Sequence, residues 1–269
     1  MTIWPDHLFL VGCGNMAGQM LSRWLVCGLD PAKVMVLRPS GKPVADGVRV
    51  VTDYPAALHA GTTVLLGMKP YQIGDVAAAL APLCKGDTRI MSILAGTLLG
   101  DLRARFPQVR DVVRAMPNLP VGLGKGVTAL FTDARTEPAA RDAVNGLICP
   151  LGLAEWVEDE ALFNQVTALS GCGPAFVFRF IDALARAGET LGIPADQAAR
   201  MALATVQGAA SMAAGASDSP ALLADRVASP GGMTREGMNV LDADDRLLSL
   251  LIDTLTAARD RGEAMARGE

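Results

Sequence analysis

The stretch Leu8–Gly18, reading Leu-Phe-Leu-Val-Gly-Cys-Gly-Asn-Met-Ala-Gly, constrains the fold of this chain more than any other. Four apolar residues stop at glycines, and Met20, Leu21, Trp24 and Leu25 then recur at helical spacing. That is the order of a buried strand, a tight turn and a helix. In such a unit Gly12 permits the sharp turn and Gly14 lets a pyrophosphate approach the backbone. Ala17, backed by Gly18, lets the helix pack closely on the strand. Amides at the helix start and the positive end of its dipole then receive phosphates. Gly12, Gly14, Asn15 and Met16 are therefore candidate cofactor-binding residues. Ordinary strand-to-helix turns use the same glycines; the position near the N-terminus favours a dinucleotide.

The pattern continues as alternating strand-like and helix-like segments to about residue 130. Val34–Leu37, Val48–Val51, Thr63–Met68, Arg89–Ile93 and Val109–Met116 read as strands, and Gln72–Leu83 as a helix. Near-continuous apolar strands alternating with helices predict an α/β, doubly wound, mainly parallel sheet covered on both faces. The character changes after Pro150-Leu151-Gly152, and no strand is expected beyond about residue 158. Ser170-Gly171-Cys172-Gly173-Pro174 punctuates the chain, with Pro174 opening a helix that runs to Gly192. Helices are expected over about 196–214, from a Ser219-Pro220 start, and over about 244–267. The division predicted is a dinucleotide-binding domain over 1–155 and an all-helical domain over 156–269.

Composition narrows the function. A chain of 269 residues, half of them hydrophobic, has material for a sizeable core, and a net charge of −4 offers no footprint for nucleic acid. No basic-then-apolar leader precedes Trp4-Pro5-Asp6, and the Ala/Gly-rich run 201–216 carries Gln207 and Ser211, so neither a signal peptide nor a membrane span is expected. Five scattered cysteines without Cys-x-x-Cys spacing indicate no disulfide framework and no metal site, and a reducing cytoplasm is the expected compartment. Ala-rich helices with much apolar surface invite packing between subunits.

The cofactor is read from the end of the second strand, where Asp or Glu recognises a ribose 2′-hydroxyl. Here Arg38 stands in that place, and no acid occurs between Leu37 and Ala45. A guanidinium followed by Ser40 and Lys42 suits a 2′-phosphate, favouring NADP over NAD, although a solvated loop arginine would look the same. Met68, Lys69 and Pro70, with Ala95 and Gly96, end two further strands at the carboxyl edge where ligands sit. Plain strand-terminating turns are the alternative for them.

In the helical half, Ala228-Ser229-Pro230-Gly231-Gly232-Met233-Thr234 is a glycine-rich loop opening into a helix. Thr234 is expected to cap that helix, with neighbouring amides ready for a small carboxylate; a mere capped turn is the competing reading. The last lysine is Lys125 and the last histidine His59. Reduction of a ketone wants a proton donor such as these. A protonated imine already carries its proton, so the missing acid points to a C=N bond.

These residues resemble the pyrroline-5-carboxylate reductase family over essentially the whole chain. The resemblance is carried by Gly12-Cys13-Gly14-Asn15-Met16-Ala17, by Met68-Lys69-Pro70, by the run from Val166 to Phe176, and by Val227–Thr234; Arg114-Ala115-Met116-Pro117-Asn118 is also similar. It implies a Rossmann domain followed by a helical domain that interlocks with its partner in a homodimer, with further assembly commonly to decamers. It implies reduction of 1-pyrroline-5-carboxylate to L-proline by NADPH or NADH, the last step of proline biosynthesis. By motif, Ser229, Gly231 and the backbone of Gly232, Met233 and Thr234 would hold the substrate carboxylate, with the Thr234 hydroxyl, the candidate catalytic group, facing the ring nitrogen. Three positions depart from the family pattern: Cys172 for Ser, Phe176 for Tyr, and Asn164 for Asp. A reductase of a β-hydroxy or keto acid shares the two-domain plan but generally places a lysine after the Ser170–Pro174 position, where this chain offers Arg179. A reductase of another cyclic imino acid fits the same residues, whereas the intact loop before Thr234 argues against a silent NADP-binding regulator.

Overall fold

The computed structural model describes residues 4–267. The chain begins with β1 (Leu8–Val11), α1 (Asn15–Val26), β2 (Val34–Leu37), β3 (Arg49–Val51), β4 (Thr63–Leu66) and α2 (Ile73–Leu80). There follow β5 (Arg89–Ser92), α3 (Leu99–Arg105), β6 (Asp111–Pro117), β7 (Gly126–Phe131), α4 (Pro138–Ile148) and β8 (Gly152–Trp156). The eight strands form one sheet in the order β3-β2-β1-β4-β5-β6-β7-β8, parallel throughout except where β7 runs antiparallel to β6. This is the doubly wound, mainly parallel sheet expected from the alternating pattern.

Strand β1 shows why both faces must be covered, because all four of its residues are buried. Leu8 and Leu10 join a core with Met20, Leu21 and Trp24 of α1 and Val144, Leu147 and Ile148 of α4. Phe9 and Val11 point the opposite way, into a core with Leu80 of α2 and Leu102 of α3. The Trp24 indole N–H donates to the Leu147 carbonyl at 2.6 Å, fixing α1 against α4.

Strands β7 and β8 and helices α3 and α4 are not among the elements expected from the sequence. β8 is a five-residue edge strand with alternating exposure, set directly after Cys149-Pro150-Leu151, and it exists through its pairing with β7. The end of the sheet at Trp156 falls one residue beyond the expected domain boundary at 155.

The remaining helices are α5 (Phe163–Val166), α6 (Gly173–Thr190), α7 (Ala195–Gly215), α8 (Pro220–Val227), α9 (Met233–Asp242) and α10 (Arg246–Ala266). By compactness the chain divides into one unit ending at Cys172, which also includes the segment from Ala258, and a second unit, Gly173–Ala257. Pro174 stands in the first turn of α6 as expected, but Ser170–Pro174 does not interrupt the helical path. A π-helical turn, Thr167–Gly171, carries the helical path between α5 and α6. The Thr167 and Ser170 hydroxyls bond the carbonyls four residues back, of Phe163 and Val166, at 2.7 and 2.8 Å. Ser219 caps α8 as its sequence suggests, its hydroxyl accepting from Leu222 N–H. α10 begins two residues later than expected because Asp244 and Asp245 take left-handed φ values of 53° and 52°.

In the second unit α6 contains no buried residue, and Val177, Phe178 and Phe180 are exposed. The helical run Glu160–Thr190 is long and apolar enough, by length and composition, to cross a membrane, and little of it is buried within one copy of the chain.

Candidate active site

A cleft of about 860 Å³ opens at the carboxyl ends of β1 and β4. These adjacent strands mark the point where the chain crosses from one half of the sheet to the other, the usual ligand position in such sheets. Gly12 turns the chain there with φ of +84°, and a β-carbon on it would lie 2.9 Å from the Met68 backbone. A β-carbon on Gly14 would meet nothing within 4 Å and would project into open space. Gly14 is also the N-cap of α1 and makes no side-chain cap, so the first amides of that helix are available to an anion. A pyrophosphate therefore fits: the backbone is bare where it must approach, and helix amides lie behind it.

The cleft wall brings together Gly12, Gly14, Asn15, Met16, Arg38, Met68, Lys69, Pro70 and Ala95 from among the sequence candidates. It does not bring in Ser40 or Gly96. The Ser40 hydroxyl instead accepts from Lys42 N–H within its own turn, and Gly96 lies in the turn beyond Ala95 with φ of +73°. Arg38 also donates to the Lys42 carbonyl. Cys13 lines the cleft too; burial pushes its thiol up, and the Arg38 guanidinium opposes that shift.

Asp53 was missed. It lines the same cleft with Thr52 and Tyr54. An acid that recognises a ribose 2′-hydroxyl ordinarily ends the second strand, whereas this one follows β3. The β2–β3 register, Leu37 opposite Val51, carries it to the same edge, and Arg38 N–H donates to Val51 O at 2.9 Å.

The segment leaving the sheet is anchored by a partly buried ion pair. Arg114 of β6 bonds Glu160, and its guanidinium lies 4.1 Å from the centre of the Phe163 ring. Glu160 also accepts from Leu99 N–H at 2.7 Å. Burial lowers the Arg114 pKa, while the hydrogen bond and charge of Glu160 act against that. Asn164, one of the departures from the family pattern, sits against α10, its side-chain oxygen 3.3 Å from where a β-carbon on Gly262 would be.

The loop before α9 is built by its own sequence. Ser229-Pro230-Gly231-Gly232 closes with Gly232 N–H donating to Ser229 O at 3.0 Å, and Gly231 has φ of +69°. Proline at the second position and a left-handed glycine at the third make a type II turn. A β-carbon on Gly232 would come within 2.6 Å of the Ser229 hydroxyl. Thr234 does not cap the helix as expected. The turn delivers Gly232 to the N-cap, no side chain caps it, and Thr234 becomes the second helical residue, exposed. Glu236 N–H bonds Gly232 O, leaving the amides of Met233, Thr234 and Arg235 as the outward-facing first turn. Arg235 reaches back from α9 to Asp225 of α8 at 2.8 Å and to the Ala228 carbonyl at 3.5 Å, bracing both ends of the loop.

Both halves match known proteins. Residues 8–96 match a family model described as NADP oxidoreductase, coenzyme F420-dependent, and residues 160–265 one described as pyrroline-5-carboxylate reductase dimerisation. The pyrroline-5-carboxylate reductase of Pseudomonas aeruginosa is 34% identical over 265 residues, spanning 97% of each chain. The structure of a pyrroline-5-carboxylate reductase from Coxiella burnetii superposes with a TM-score of 0.89 at 30% identity, covering 97% of this chain and 98% of the other. That of the Plasmodium falciparum pyrroline carboxylate reductase with NADP bound gives 0.81 at 23% identity, covering 97% and 98%, a likeness of fold. A bare glycine turn at the sheet's crossover, a Pro-Gly loop presenting helix amides, and likeness along nearly the full length of reductases from separate organisms lead to one assignment: the chain belongs to the pyrroline-5-carboxylate reductase family.

Proposed function

We infer that this chain reduces 1-pyrroline-5-carboxylate to L-proline, the last step of proline biosynthesis, using a nicotinamide dinucleotide. The observation that carries the reading is the Ser229–Thr234 loop, which offers amides and a hydroxyl but no strong acid. Such a loop suits a small anion that needs no proton donor. When bound in the β1–β4 cleft, the reduced cofactor supplies a hydride. Gly12 and Gly14 leave room for its pyrophosphate and the amides of Asn15 and Met16 hold it, while Met68, Lys69, Pro70 and Ala95 line the adjoining wall.

Ser229, Gly231 and the backbone of Gly232, Met233 and Thr234 hold the substrate carboxylate, and the Thr234 hydroxyl meets the ring nitrogen. The substrate arrives with its nitrogen protonated, so hydride addition to the neighbouring carbon neutralises the charge and no side chain need donate. Placement is then the chain's main contribution, and orientation of this kind is worth about 7–11 kcal/mol. NADPH is the preferred donor on the strength of Arg38, with NADH accepted.

The chain acts as a homodimer through its helical half, a reading supported by the dimerisation model over 160–265 and the exposed apolar face of α6. A second copy, not lipid, covers that face. All five cysteines are free, which fits a reducing cytoplasm.

Steady-state oxidation of NADPH and NADH with five- and six-membered cyclic imino acids and with an open-chain keto acid tests the assignment. Fastest turnover is expected with the five-membered imine. Brisk keto-acid reduction with the imines ignored would overturn it.

A further inference from the structure

The adenosine end of the cleft holds two opposite charges. Arg38 follows β2, Asp53 follows β3, and the Leu37–Val51 pairing sets these ends side by side on one cleft wall. The loop between the strands folds over onto the same place: Gly41 N–H donates to Arg38 O at 2.9 Å, and a β-carbon on Gly41 would be 3.5 Å from the Thr52 methyl. The Thr52 hydroxyl donates to Asp53 at 2.9 Å, orienting the carboxylate. Among the described residues Asp53 and Arg38 form no ion pair with each other, so the two charges act on a ligand separately and do not cancel as a pair.

In dinucleotide-binding sheets a carboxylate accepts from the ribose 2′-hydroxyl of NAD, and an arginine accommodates the 2′-phosphate of NADP. This chain carries both groups on neighbouring strands. We propose that Asp53 sets the cofactor preference, opposing the 2′-phosphate that Arg38 attracts and accepting a hydrogen bond from the 2′-hydroxyl of NAD. The site is thereby tuned for use of both dinucleotides. This rests on reading the β1–β4 cleft as the cofactor site, and it adds a residue that the β2 rule does not supply.

The direction follows from charge. A 2′-phosphate near pH 7 carries close to two negative charges, and a carboxylate nearby repels it; the ribose hydroxyl of NAD has no charge to repel. Asp53 is exposed, so the repulsion is moderate and screened by salt.

Calorimetric titration of the full-length protein with NADP⁺ and with NAD⁺ tests this without relying on turnover. Asp53→Asn should tighten NADP⁺ about fivefold at low salt and weaken NAD⁺ about threefold, moving the affinity ratio by roughly an order of magnitude. The NADP⁺ gain should shrink at high salt. Asp53→Glu should keep the wild-type direction, and Arg38→Ala should move the ratio the other way. An Asp53→Asn protein with an unchanged melting temperature and a ratio within twofold of wild type overturns the proposal while leaving the cleft assignment standing. Failure of the wild-type protein to bind either dinucleotide overturns both.

Discussion

The side-chain amide of Asn118 donates to the carbonyl oxygen of Ser170 at 2.8 Å. In a regular helix that carbonyl would accept from the N–H of residue 174, which is proline and has none. A residue at the end of β6 thus supplies the donor that the start of α6 lacks. Its own oxygen accepts from Val127 N–H at 2.8 Å, so one buried amide ties β6, β7 and the π-helical turn together.

Asn118→Ala should therefore destabilise the protein by about 2–3 kcal/mol, since two buried partners lose their bonds. Adding Pro174→Ala to that background should restore about 1 kcal/mol, because the new N–H can serve Ser170 O. Urea unfolding of the four proteins in the cycle measures the coupling. Additive losses would mean that Asn118 does not substitute for the proline.

This pair also explains what could be read from the sequence and what could not. β1 was legible because all four of its residues are apolar and the glycines stop them. Ser170–Pro174 looked like a break because its repair comes from Asn118, some fifty positions away. Thr234 looked like a cap because local rules favour threonine there, but the Pro230-Gly231 turn places Gly232 first. β8 was invisible because a short, half-exposed edge strand is made by its neighbour β7. Asp53 escaped because its site is assembled by strand register and not by spacing from the glycines.

The exposed face of α6 leads to a test of assembly. Phe178 is 63% exposed in a single copy, a costly place for a phenyl ring unless another surface covers it. Phe178→Asp should raise the dimer dissociation constant by about thirtyfold or more, the cost of losing a 2 kcal/mol anchor. Sedimentation velocity across a concentration series checks it. A mutant dimer as tight as wild type would remove α6 from the interface.

Thr234→Ala removes the hydroxyl proposed to meet the ring nitrogen and keeps the amides of the α9 start. Turnover should fall about tenfold or more if the hydroxyl steadies the nitrogen as its charge is lost, a change felt more strongly in the transition state than in binding. NADPH affinity, measured by fluorescence titration, should stay within twofold. Unchanged turnover would leave Thr234 with no part in the reaction.

The Arg235–Asp225 pair spans the two helices on either side of the Ser229–Gly232 turn, the loop proposed to hold substrate. Asp225 is more than half exposed, so the pair contributes modestly and is sensitive to salt. Asp225→Asn should raise KM for the imine about threefold with little loss of kcat, consistent with a contribution of up to about 1 kcal/mol. Wild-type KM should drift the same way as salt increases, and the mutant's should not. An Asp225→Asn enzyme with unaltered KM and the same salt response would show that the loop holds its shape without the brace.

Cys84 links burial to pH. It is 1% exposed in the core between the sheet and α2, and burial pushes its thiol up to about 11 from an ordinary value of 9.0. The folded state therefore keeps its proton over a window in which the unfolded chain has lost it. With more protons bound to the native state, stability must fall as pH rises. The contribution is complete below pH 9 and is lost progressively between about pH 9 and pH 11, amounting to about 2–3 kcal/mol for a shift of this size. Cys84→Val, which keeps an apolar side chain of similar bulk, should flatten that part of the stability–pH curve measured by urea unfolding. In native protein at pH 8, the exposed Cys27 and Cys149 should react with a thiol reagent well before Cys84 does. A wild-type curve with no slope through this window, or rapid labelling of Cys84, would show that its environment is wetter than the packing of Leu80, Leu83 and Ile90 around it requires.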